Sequence, residues 1–372
     1  MDTIFWNGLT PKKFLHEYWQ KKPLLIRDAF PGFKSFITPG NLIKLAHRDD
    51  VQSRLVTERN GKWDTLHGPV FPEDIPASSA VKWTLLVQGI NHFQTRAESL
   101  LGAFDFVPHA RLDDLMISYG SSGSSVGPHF DSYDVFLLQG RGHKHWHVSH
   151  QKDMSLIPDA PLRILQHFKP SQDWILGPGD MLYLPPKYAH HGIALNDCLT
   201  YSIGFRAPSA QELAGQFLNF LQDELEIKGM YEDPDLALQK HPAEISHSMV
   251  KQVADMLNGI SWTPKDIERF LGQYLSEPKP HIFFDPPQRP LSENKFVHQA
   301  TQKSIRLNLK SLMLFKKRTI FLNGEPYAVS LQTLEELKPL ADKRTLVLSH
   351  VPNDEAIALL YEWYRAGYIE LH

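Results

Sequence analysis

The stretch Gly127-Pro128-His129-Phe130-Asp131 places an imidazole and a carboxylate two residues apart in the chain. In an extended strand, residues i and i+2 point to the same face, so His129 and Asp131 can reach one point. The later run Pro185-Pro186-Lys187-Tyr188-Ala189-His190-His191-Gly192 offers His190 as a third ligand, if its strand runs back past the first. Two histidines and one carboxylate that leave one face of the metal open are typical of non-haem Fe(II) oxygenases. These residues therefore predict an Fe(II) site with room for a chelating co-substrate and dioxygen.

By itself, a His-x-Asp sequence also fits exposed or hydrogen-bonded histidines, since the chain contains 19 histidines. The context favours the metal site, because β-type segments bounded by glycine or proline turns separate its two halves. Strands are predicted at Asp114–Tyr119, His129–Gln139, Lys144–Val148, Trp174–Leu176, Asp180–Leu184, His191–Leu195 and Cys198–Arg206. Many short strands with tight turns indicate an α+β protein whose core is a double-stranded β-helix of the cupin or jelly-roll kind.

Length and composition describe an ordinary globular protein. The 372 residues suffice for two or three domains, and a formal net charge of −3 does not suggest bulk polyanion binding. Residues 1–13 lack the pattern of a secretory signal, and no apolar run is long enough for a membrane helix. The single cysteine, Cys198, fits a reducing compartment. We therefore expect a cytoplasmic protein without a membrane association.

Elements before the barrel are expected to pack on its outside. The spacing of apolar residues predicts a helix over Thr10–Gln20, with Thr10 as the N-cap and Pro11 in the first turn. Further predictions are a strand at Pro23–Arg27, a strand at Ser53–Thr57 before a turn at Asn60-Gly61, a strand at Lys82–Val87 and a helix ending near Phe104. With the barrel they form a predicted oxygenase domain over residues 1–208.

The sequence pattern becomes helical at Ser209. This residue and Glu212 form a capping box ahead of an apolar stripe. Two more helices are predicted near residues 244–258 and 263–275. This region, 209–277, either packs against the barrel or forms a helical dimerisation module, and the sequence leaves both interpretations open.

A proline-rich connection opens the last region, residues 278–372. It is followed by a predicted hairpin over Phe315–Val329 with its turn at Asn323-Gly324, and by helices near residues 331–340 and 353–366. This pattern resembles a winged helix. Seven basic residues without an acidic one could favour RNA or a ribosome-like partner, although a solvated basic face also explains them: Lys295, Lys303, Arg306, Lys310, Lys316, Lys317 and Arg318.

An oxygenase that uses 2-oxoglutarate needs a cation inside the barrel for the distal carboxylate. Lys144 follows the Gly140-Arg141-Gly142 turn, which predicts that its strand returns antiparallel to His129–Gln139. By alternation, Lys144 shares an inward face with Trp146 and Val148, opposite three histidines. We therefore assign the co-substrate cation to Lys144, with an outward-facing lysine as the alternative.

Other polar residues are predicted to point into the same cavity. Asp114 and Ser118 share a face of their strand, where Ser118 can donate to the co-substrate and Asp114 can receive a cationic substrate side chain. Thr200 and Ser202, on the last strand, are further candidates. Each of the four also fits a structural hydrogen-bonding role. His191 is expected to face away from the metal.

Several motifs together resemble the bacterial ribosomal oxygenases, Jumonji-C-type enzymes that hydroxylate an arginine of large-subunit ribosomal protein sixteen. The matching runs are Asp113-Asp114-Leu115-Met116-Ile117-Ser118, Gly127-Pro128-His129-Phe130-Asp131-Ser132-Tyr133-Asp134-Val135-Phe136, Gly177-Pro178-Gly179-Asp180, Leu184-Pro185-Pro186 and Tyr201-Ser202-Ile203-Gly204-Phe205-Arg206. The resemblance covers essentially the whole chain. It implies that the helical region forms a homodimer. It also implies that the C-terminal region is a winged-helix-like domain.

Residue by residue, the resemblance implies Fe(II) at the triad and 2-oxoglutarate at Lys144. Strand alternation, described above, adds Ser118 and Thr200 as expected co-substrate contacts. The bacterial pattern has arginine at the place of Lys144 and asparagine at that of Thr200, while lysine is usual across Jumonji-C enzymes. An arginine substrate suits Asp114 and Tyr133, because a guanidinium pairs with a carboxylate and stacks on an aromatic ring. Ser202 completes the set of expected substrate contacts.

Three other functions remain open at this point. Relatives of the same chemistry hydroxylate histidine or demethylate lysine, and mass spectrometry of the substrate distinguishes these reactions. A different class is a non-enzymatic cupin scaffold whose basic C-terminal domain binds nucleic acid. The intact triad together with Lys144 argues against the scaffold, and direct nucleic-acid binding is not expected.

Overall fold

The computed structural model describes residues 6–78 and 80–372. In this part of the chain the α-helices are α1 (Pro11–Glu17), α2 (Pro39–Ala46), α3 (Thr95–Gly102), α4 (Ala210–Glu224), α5 (His247–Leu257), α6 (Pro264–Ser276), α7 (Glu293–Ala300), α8 (Leu331–Lys343) and α9 (Asp354–Ala366). Short 3-10 helices occupy Pro72–Asp74, Ile90–His92 and His109–Arg111. None of the helices in these residues is long and apolar enough to cross a membrane.

The strands follow the same numbering along the chain. They are β1 (Leu24–Ile26), β2 (Ser53–Arg59), β3 (Lys62–His67), β4 (Lys82–Val87), β5 (Leu112–Gly120), β6 (His129–Phe130), β7 (Val135–Arg141), β8 (Lys144–Ser149), β9 (Gln172–Leu176), β10 (Met181–Leu184), β11 (Ala189–Ala194), β12 (Cys198–Phe205), β13 (Ile305–Leu307), β14 (Met313–Lys316), β15 (Thr319–Leu322), β16 (Glu325–Ala328), β17 (Thr345–Leu346) and β18 (Ile369–Leu371).

Two antiparallel sheets form the barrel. The major sheet has the strand order β1-β10-β7-β12-β5-β4-β2-β3, and the minor sheet has the order β6-β11-β8-β9. Apolar side chains of both sheets fill the space between them, with Leu137 and Leu182 from the major sheet packed against Trp146 and Val148 from the minor sheet. The outer face of the major sheet is covered by residues that include Phe14 and Leu42, from α1 and α2. The double-stranded β-helix with flanking helices is therefore confirmed.

The prediction of one continuous strand over His129–Gln139 is wrong. The chain forms β6 over two residues in the minor sheet, crosses the mouth of the barrel, and enters the major sheet as β7. The crossing residues include Asp134, whose fully buried carboxylate accepts a hydrogen bond from the Tyr183 hydroxyl at 2.6 Å and from the Gln20 amide at 2.9 Å. These bonds to a core tyrosine and an N-terminal residue hold the crossing in place, and alternation alone does not reveal them.

The expected pairing of the Lys144 strand with the His129–Gln139 strand is also wrong. The Gly140-Arg141-Gly142 turn carries the chain from one sheet to the other, so β8 pairs with β11 and β9, while β7 pairs with β10 and β12. Lys144 thus lies next to the strand of His190. Its inward orientation holds, because Lys144, Trp146 and Val148 are buried while the intervening His145 and His147 are only partly buried.

The C-terminal region has its own core around Phe296, Leu337 and Trp363. The predicted hairpin is in fact a three-stranded sheet, β14-β15-β16, and its second turn lies at Asn323-Gly324, where both residues have positive φ. A second small sheet has the order β17-β13-β18. Helices α8 and α9 pack on these strands and on each other, and α7 packs on α9.

The helices after the barrel differ in their contacts. Ser209 caps α4 by accepting a hydrogen bond from the Glu212 N–H, as the capping box predicts. Helix α6 packs against both α4 and the sheet of β14, β15 and β16, so it joins the helical and C-terminal regions. Helix α5 buries none of its residues, although its apolar residues lie on one face.

The oxygenase and C-terminal regions meet at an ion cluster centred on α3. The carboxylate of Glu98 accepts from the Arg344 Nε at 2.6 Å and also pairs with the Arg306 guanidinium. Arg344 further donates to the Ser311 and Asn308 carbonyls, each at 2.9 Å. The cluster fixes the C-terminal region against the outside of the barrel.

Candidate metal and co-substrate site

The three residues of the predicted triad converge at one end of the barrel. Strands β6 and β11 pair so that His129 lies directly opposite His190, and their ring centroids are 4.2 Å apart. Asp131 follows β6 at once, and its Oδ2 lies 3.6 Å from the His190 Nε2. One ligand atom from each residue lies within 4.8 Å of the others, a spacing that suits a single metal ion.

Both histidines present the same nitrogen to this point. The His129 Nδ1 is 2.9 Å from the Gly127 carbonyl oxygen, and the His190 Nδ1 is 3.0 Å from the Tyr188 carbonyl oxygen. A backbone carbonyl accepts only from a protonated nitrogen, so each ring carries its proton on Nδ1 and keeps the Nε2 lone pair for a metal. The carbonyls therefore select the tautomer that coordinates.

His190 is neutral at physiological pH. It is 2% exposed, and burial, with the His129 ring beside it, lowers the pKa of His190 to about 4. A neutral imidazole needs no deprotonation before it binds a metal. Two imidazoles and one carboxylate form the donor set of Fe(II) oxygenases.

Lys144 lies inside the barrel as a buried cation that has no acidic partner in the described part of the chain. Lys144 is 8% exposed as a residue, and its Nζ lies 4.8 Å from the centroid of the Trp146 ring. Burial lowers the pKa of the Lys144 amine. A buried charge is costly unless it is paired, so this position fits an anionic ligand such as the distal carboxylate of 2-oxoglutarate.

Gly192 makes room for this lysine. Lys144 and Trp146 lie over the Gly192 backbone, where an added Cβ would be 2.8 Å from the Lys144 Cε and 2.6 Å from a Trp146 ring carbon. A side chain at this position would collide with both residues. The glycine that follows the two histidines is thus part of the binding site.

The polar residues predicted to line the cavity lie on the inner face of the major sheet. Thr200 is directly opposite Ser118, Ser202 is opposite Met116, and all of them point to the side that carries Leu137. The Thr200 hydroxyl donates to the Gln139 Oε1 at 3.1 Å. Thr200 therefore offers lone pairs to a ligand, whereas its proton is already used.

Asp114 and Tyr133 lie together at the mouth of the barrel. The Asp114 Oδ2 accepts from the Gly89 N–H at 3.0 Å. Burial raises the pKa of the Asp114 carboxyl, and the negative charge of Asp113 adds to this effect. Burial, together with the carboxylates of Asp131 and Asp114, raises the pKa of the Tyr133 hydroxyl, which is hydrogen-bonded to Asp131.

Besides Gly192, two residues of the site were not predicted from the sequence. Gln139 is fully buried and positions the Thr200 hydroxyl, and a single amide at an inward position of an apolar strand is a signal that alternation could have found. Gly204 is opposite Asp114 on β12 and borders Tyr133. Its role depends on a contact between strands, which the sequence does not show.

A barrel of this topology with a two-histidine, one-carboxylate centre and a buried lysine defines the class of cupin-type oxygenases. The comparison with protein families agrees, because the JmjC domain family matches residues 99–213 and the ROXA-like winged helix family matches residues 256–370. The second match begins within α5, ahead of the predicted C-terminal region.

The chain belongs to the ribosomal oxygenase family. It is 34% identical to the ribosomal protein uL16 3-hydroxylase of Escherichia coli (strain K12) over 84% of each chain. It is 38% identical to a probable ribosomal oxygenase of Haemophilus influenzae, over 64% of this chain and 59% of that protein. The solved structure of the Escherichia coli ribosomal oxygenase YcfD in complex with cobalt and 2-oxoglutarate is similar, with a TM-score of 0.82, 30% identity and 98% of each chain covered.

The protein is thus a 2-oxoglutarate-dependent hydroxylase of the JmjC class, with Fe(II), 2-oxoglutarate and dioxygen as its cofactor and co-substrates. When bound, these supply the oxidation: 2-oxoglutarate becomes succinate and carbon dioxide, and one oxygen atom of dioxygen enters a substrate C–H bond. The chain itself binds, orients and encloses the reactants.

Proposed function

We propose that this protein hydroxylates an arginine side chain of the large-subunit ribosomal protein uL16. The observation that carries the proposal is the pairing of Asp114 and Tyr133 at the barrel mouth, beside Gly204. A carboxylate and an aromatic ring around a small space suit a guanidinium, which pairs with the first and stacks on the second. The name of the Escherichia coli relative, a uL16 3-hydroxylase, supports uL16 as the substrate and carbon 3 of the modified residue as the site of hydroxylation.

In this proposal each site residue has a defined role. His129, Asp131 and His190 hold Fe(II), and the Lys144 ammonium binds the distal carboxylate of 2-oxoglutarate. Further contacts to the co-substrate come from Ser118 as a donor and Thr200, while Asp114, Tyr133 and Ser202 bind the substrate side chain. Because the Thr200 proton is donated to Gln139, the donors to the carboxylate are Lys144 and Ser118.

The test is anaerobic reconstitution with Fe(II) and 2-oxoglutarate, followed by exposure to air with a uL16 fragment. Succinate and the mass of the fragment are read together. We expect a gain of one oxygen on an arginine residue, with an equal amount of succinate. Asp131→Ala should abolish both signals. Asp105→Ala is the matched control, because it removes the carboxylate of another His–Asp pair, whose His109 Nε2 to Asp105 Oδ1 distance is 3.1 Å.

The outcomes separate the competing functions. Oxygen on a histidine residue would replace arginine by histidine as the target, and loss of a methyl group would indicate a demethylase. Succinate without a change in mass would retain the oxygenase and reject uL16. If folded, iron-loaded protein gave neither succinate nor a change in mass, the proposal would be overturned. The acidic character of Asp114 favours arginine over a neutral histidine side chain.

The basic stretch does not favour a nucleic-acid-binding function. Arg306 pairs with Glu98, Lys317 pairs with Glu268 at 3.0 Å, and Lys310 donates to the Phe283 carbonyl at 2.7 Å. Three of the seven basic residues are thus used in contacts within the chain, and the other four are exposed. We therefore keep uL16 as the partner and infer a structural role for Arg306, Lys310 and Lys317.

We further propose a homodimer formed through residues 209–277. The proposed domains are 1–208, 209–277 and 278–372, and the proposed location is the cytoplasm. Helix α5 supports the dimer, because Val250, Val253 and Leu257 are 55%, 40% and 57% exposed on one amphipathic helix. Sedimentation equilibrium is the test. Val253→Glu should yield monomers, while Lys251→Glu, which places the same acid on the polar face, should leave a dimer.

A further inference from the structure

The outer face of the minor sheet carries a group of metal-ligating side chains outside the catalytic site. We call it the outer cluster: His145 and His147 on β8, Asp173 on β9 and His191 on β11. Strand pairing places His147 between Asp173 and His191. These side chains alternate with Lys144, Trp146 and His190, which point into the barrel, so the outer cluster is separated from the catalytic site by the sheet.

The members of the outer cluster are close together. The His145 Nε2 lies 2.9 Å from the Asp173 Oδ2. The ring centroids of His145 and His147 are 4.1 Å apart, and those of His147 and His191 are 6.4 Å apart. Two histidines two residues apart on one strand, with a carboxylate on the neighbouring strand, present three donors to one region of the surface.

We propose that His145, His147 and Asp173, with His191 beside them, form a second site for a divalent transition-metal ion such as Zn²⁺ or Ni²⁺. Imidazole nitrogens and a carboxylate oxygen are donors that suit these ions. Water completes the coordination, because the side chains of His145 and Asp173 are 26% and 64% exposed. The site belongs to the outer surface and takes no part in binding the co-substrate.

Binding requires a local adjustment. In the described part of the chain, these residues do not form a group whose ligand atoms all lie within 4.8 Å, so at least one ring must turn when an ion binds. The terminal torsion of histidine is soft, and His147 is only partly buried. Burial lowers the pKa of His147, and the neighbouring His145 adds to this effect. The lowered pKa keeps the His147 ring in the neutral form that coordinates a metal.

An ion at this position would link β8 to β9 and lie next to β11. On their inner faces, β8 carries Lys144 and β11 carries His190. An ion that binds the folded chain and not the unfolded one raises the free energy of unfolding. We therefore expect occupancy to raise the melting temperature, independently of the catalytic metal.

The test uses full-length, tag-free protein in which His129→Ala and Asp131→Ala together remove the catalytic site. Equilibrium dialysis against Zn²⁺, followed by elemental mass spectrometry, should show one bound equivalent and a raised melting temperature. Adding Asp173→Asn or His147→Asn should abolish both. His109→Asn is the matched control, because it breaks the separate His109–Asp105 pair and should leave zinc binding unchanged.

The proposal is overturned if the double variant binds no zinc, or if its zinc is retained after both Asp173→Asn and His147→Asn. Retention would mean adventitious binding elsewhere on the surface. Misfolding is separated from loss of the site by near-ultraviolet circular dichroism of each variant. Asp173→Asn keeps the size of a side chain that is 64% exposed. Since the readout is zinc content, the result does not depend on the uL16 assignment.

Discussion

Gly204 lies directly opposite Asp114 in the major sheet, and an added Cβ there would be 3.7 Å from the Asp114 Oδ1 and 3.9 Å from the Tyr133 Cε2. These are ordinary van der Waals distances, so a methyl group fits without moving either residue. It would nevertheless fill the space between the carboxylate and the ring. The absence of a side chain at Gly204 therefore keeps the proposed substrate pocket open.

Gly204→Ala should raise the KM for the uL16 fragment by about tenfold or more, the usual cost of one extra methyl group in a fitted pocket. Succinate formation without substrate should be unchanged, because the triad and Lys144 are untouched. Steady-state kinetics with both readouts is the measurement. Gly215→Ala is the control, since no atom of residues 6–78 and 80–372 lies within 4 Å of its added Cβ. An unaltered KM in Gly204→Ala would remove this position from the pocket.

Lys144→Met should weaken 2-oxoglutarate binding by about 10–100-fold, the equivalent of one charge-assisted hydrogen bond. The same change should raise the melting temperature of the ligand-free protein. It replaces a buried cation, which lacks an acidic partner among the described residues, by an apolar chain of similar length. Titration calorimetry and thermal unfolding measure the two effects. Lower thermal stability with intact co-substrate binding would show that Lys144 serves the fold instead.

The two properties of Lys144 should respond to pH in opposite directions. Burial lowers the pKa of Lys144 below its ordinary 10.5, so between the two values the unfolded chain binds more protons than the folded one. The free energy of unfolding of ligand-free protein should thus gain a positive term as pH rises through the lowered pKa. Affinity for 2-oxoglutarate should fall over the same range, because the neutral amine does not pair with a carboxylate. Both trends should be absent from Lys144→Met.

Asp114→Asn should raise the KM for the arginine substrate by about 10–100-fold, since a hydrogen bond between two charged groups is lost. In the parent protein the raised pKa of Asp114 leaves part of the carboxyl protonated on the acidic side. The KM should therefore fall as pH increases through that pKa, and in Asp114→Asn this fall should disappear. A pH profile of kcat/KM for the two proteins decides the matter, and identical profiles would exclude Asp114 as the guanidinium partner.

Glu98→Ala should lower the free energy of unfolding by about 2 kcal/mol or more, because two part-buried guanidinium groups lose their shared carboxylate. The side chains of Glu98, Arg306 and Arg344 are 18%, 19% and 22% exposed. Urea unfolding is the measurement. Lys317→Ala, which breaks an ion pair whose lysine is 67% exposed, should cost less than about 1 kcal/mol. Equal losses in the two variants would contradict a special role for the Glu98 cluster.

Local rules accounted for much of the barrel. Alternation along β8 placed Lys144, Trp146 and Val148 on one face, and their burial agrees with it. Such rules failed where the chain changes sheets. The crossing after His129-Phe130 is held by the buried carboxylate of Asp134, whose partners Tyr183 and Gln20 are remote in sequence.

The sequence by itself determined the class of protein, because the features that define it are local patterns. These are the His129-x-Asp131 pair, His190, a lysine on a following strand and many short strands. Tertiary structure alone decided which strands are neighbours. Only folding brings Gly204 opposite Asp114 and Gly192 under Lys144, and these contacts set the shapes of the proposed substrate and co-substrate pockets. The physical reason is that alternation fixes the face of each side chain, whereas packing between sheets fixes its distance to a distant part of the chain.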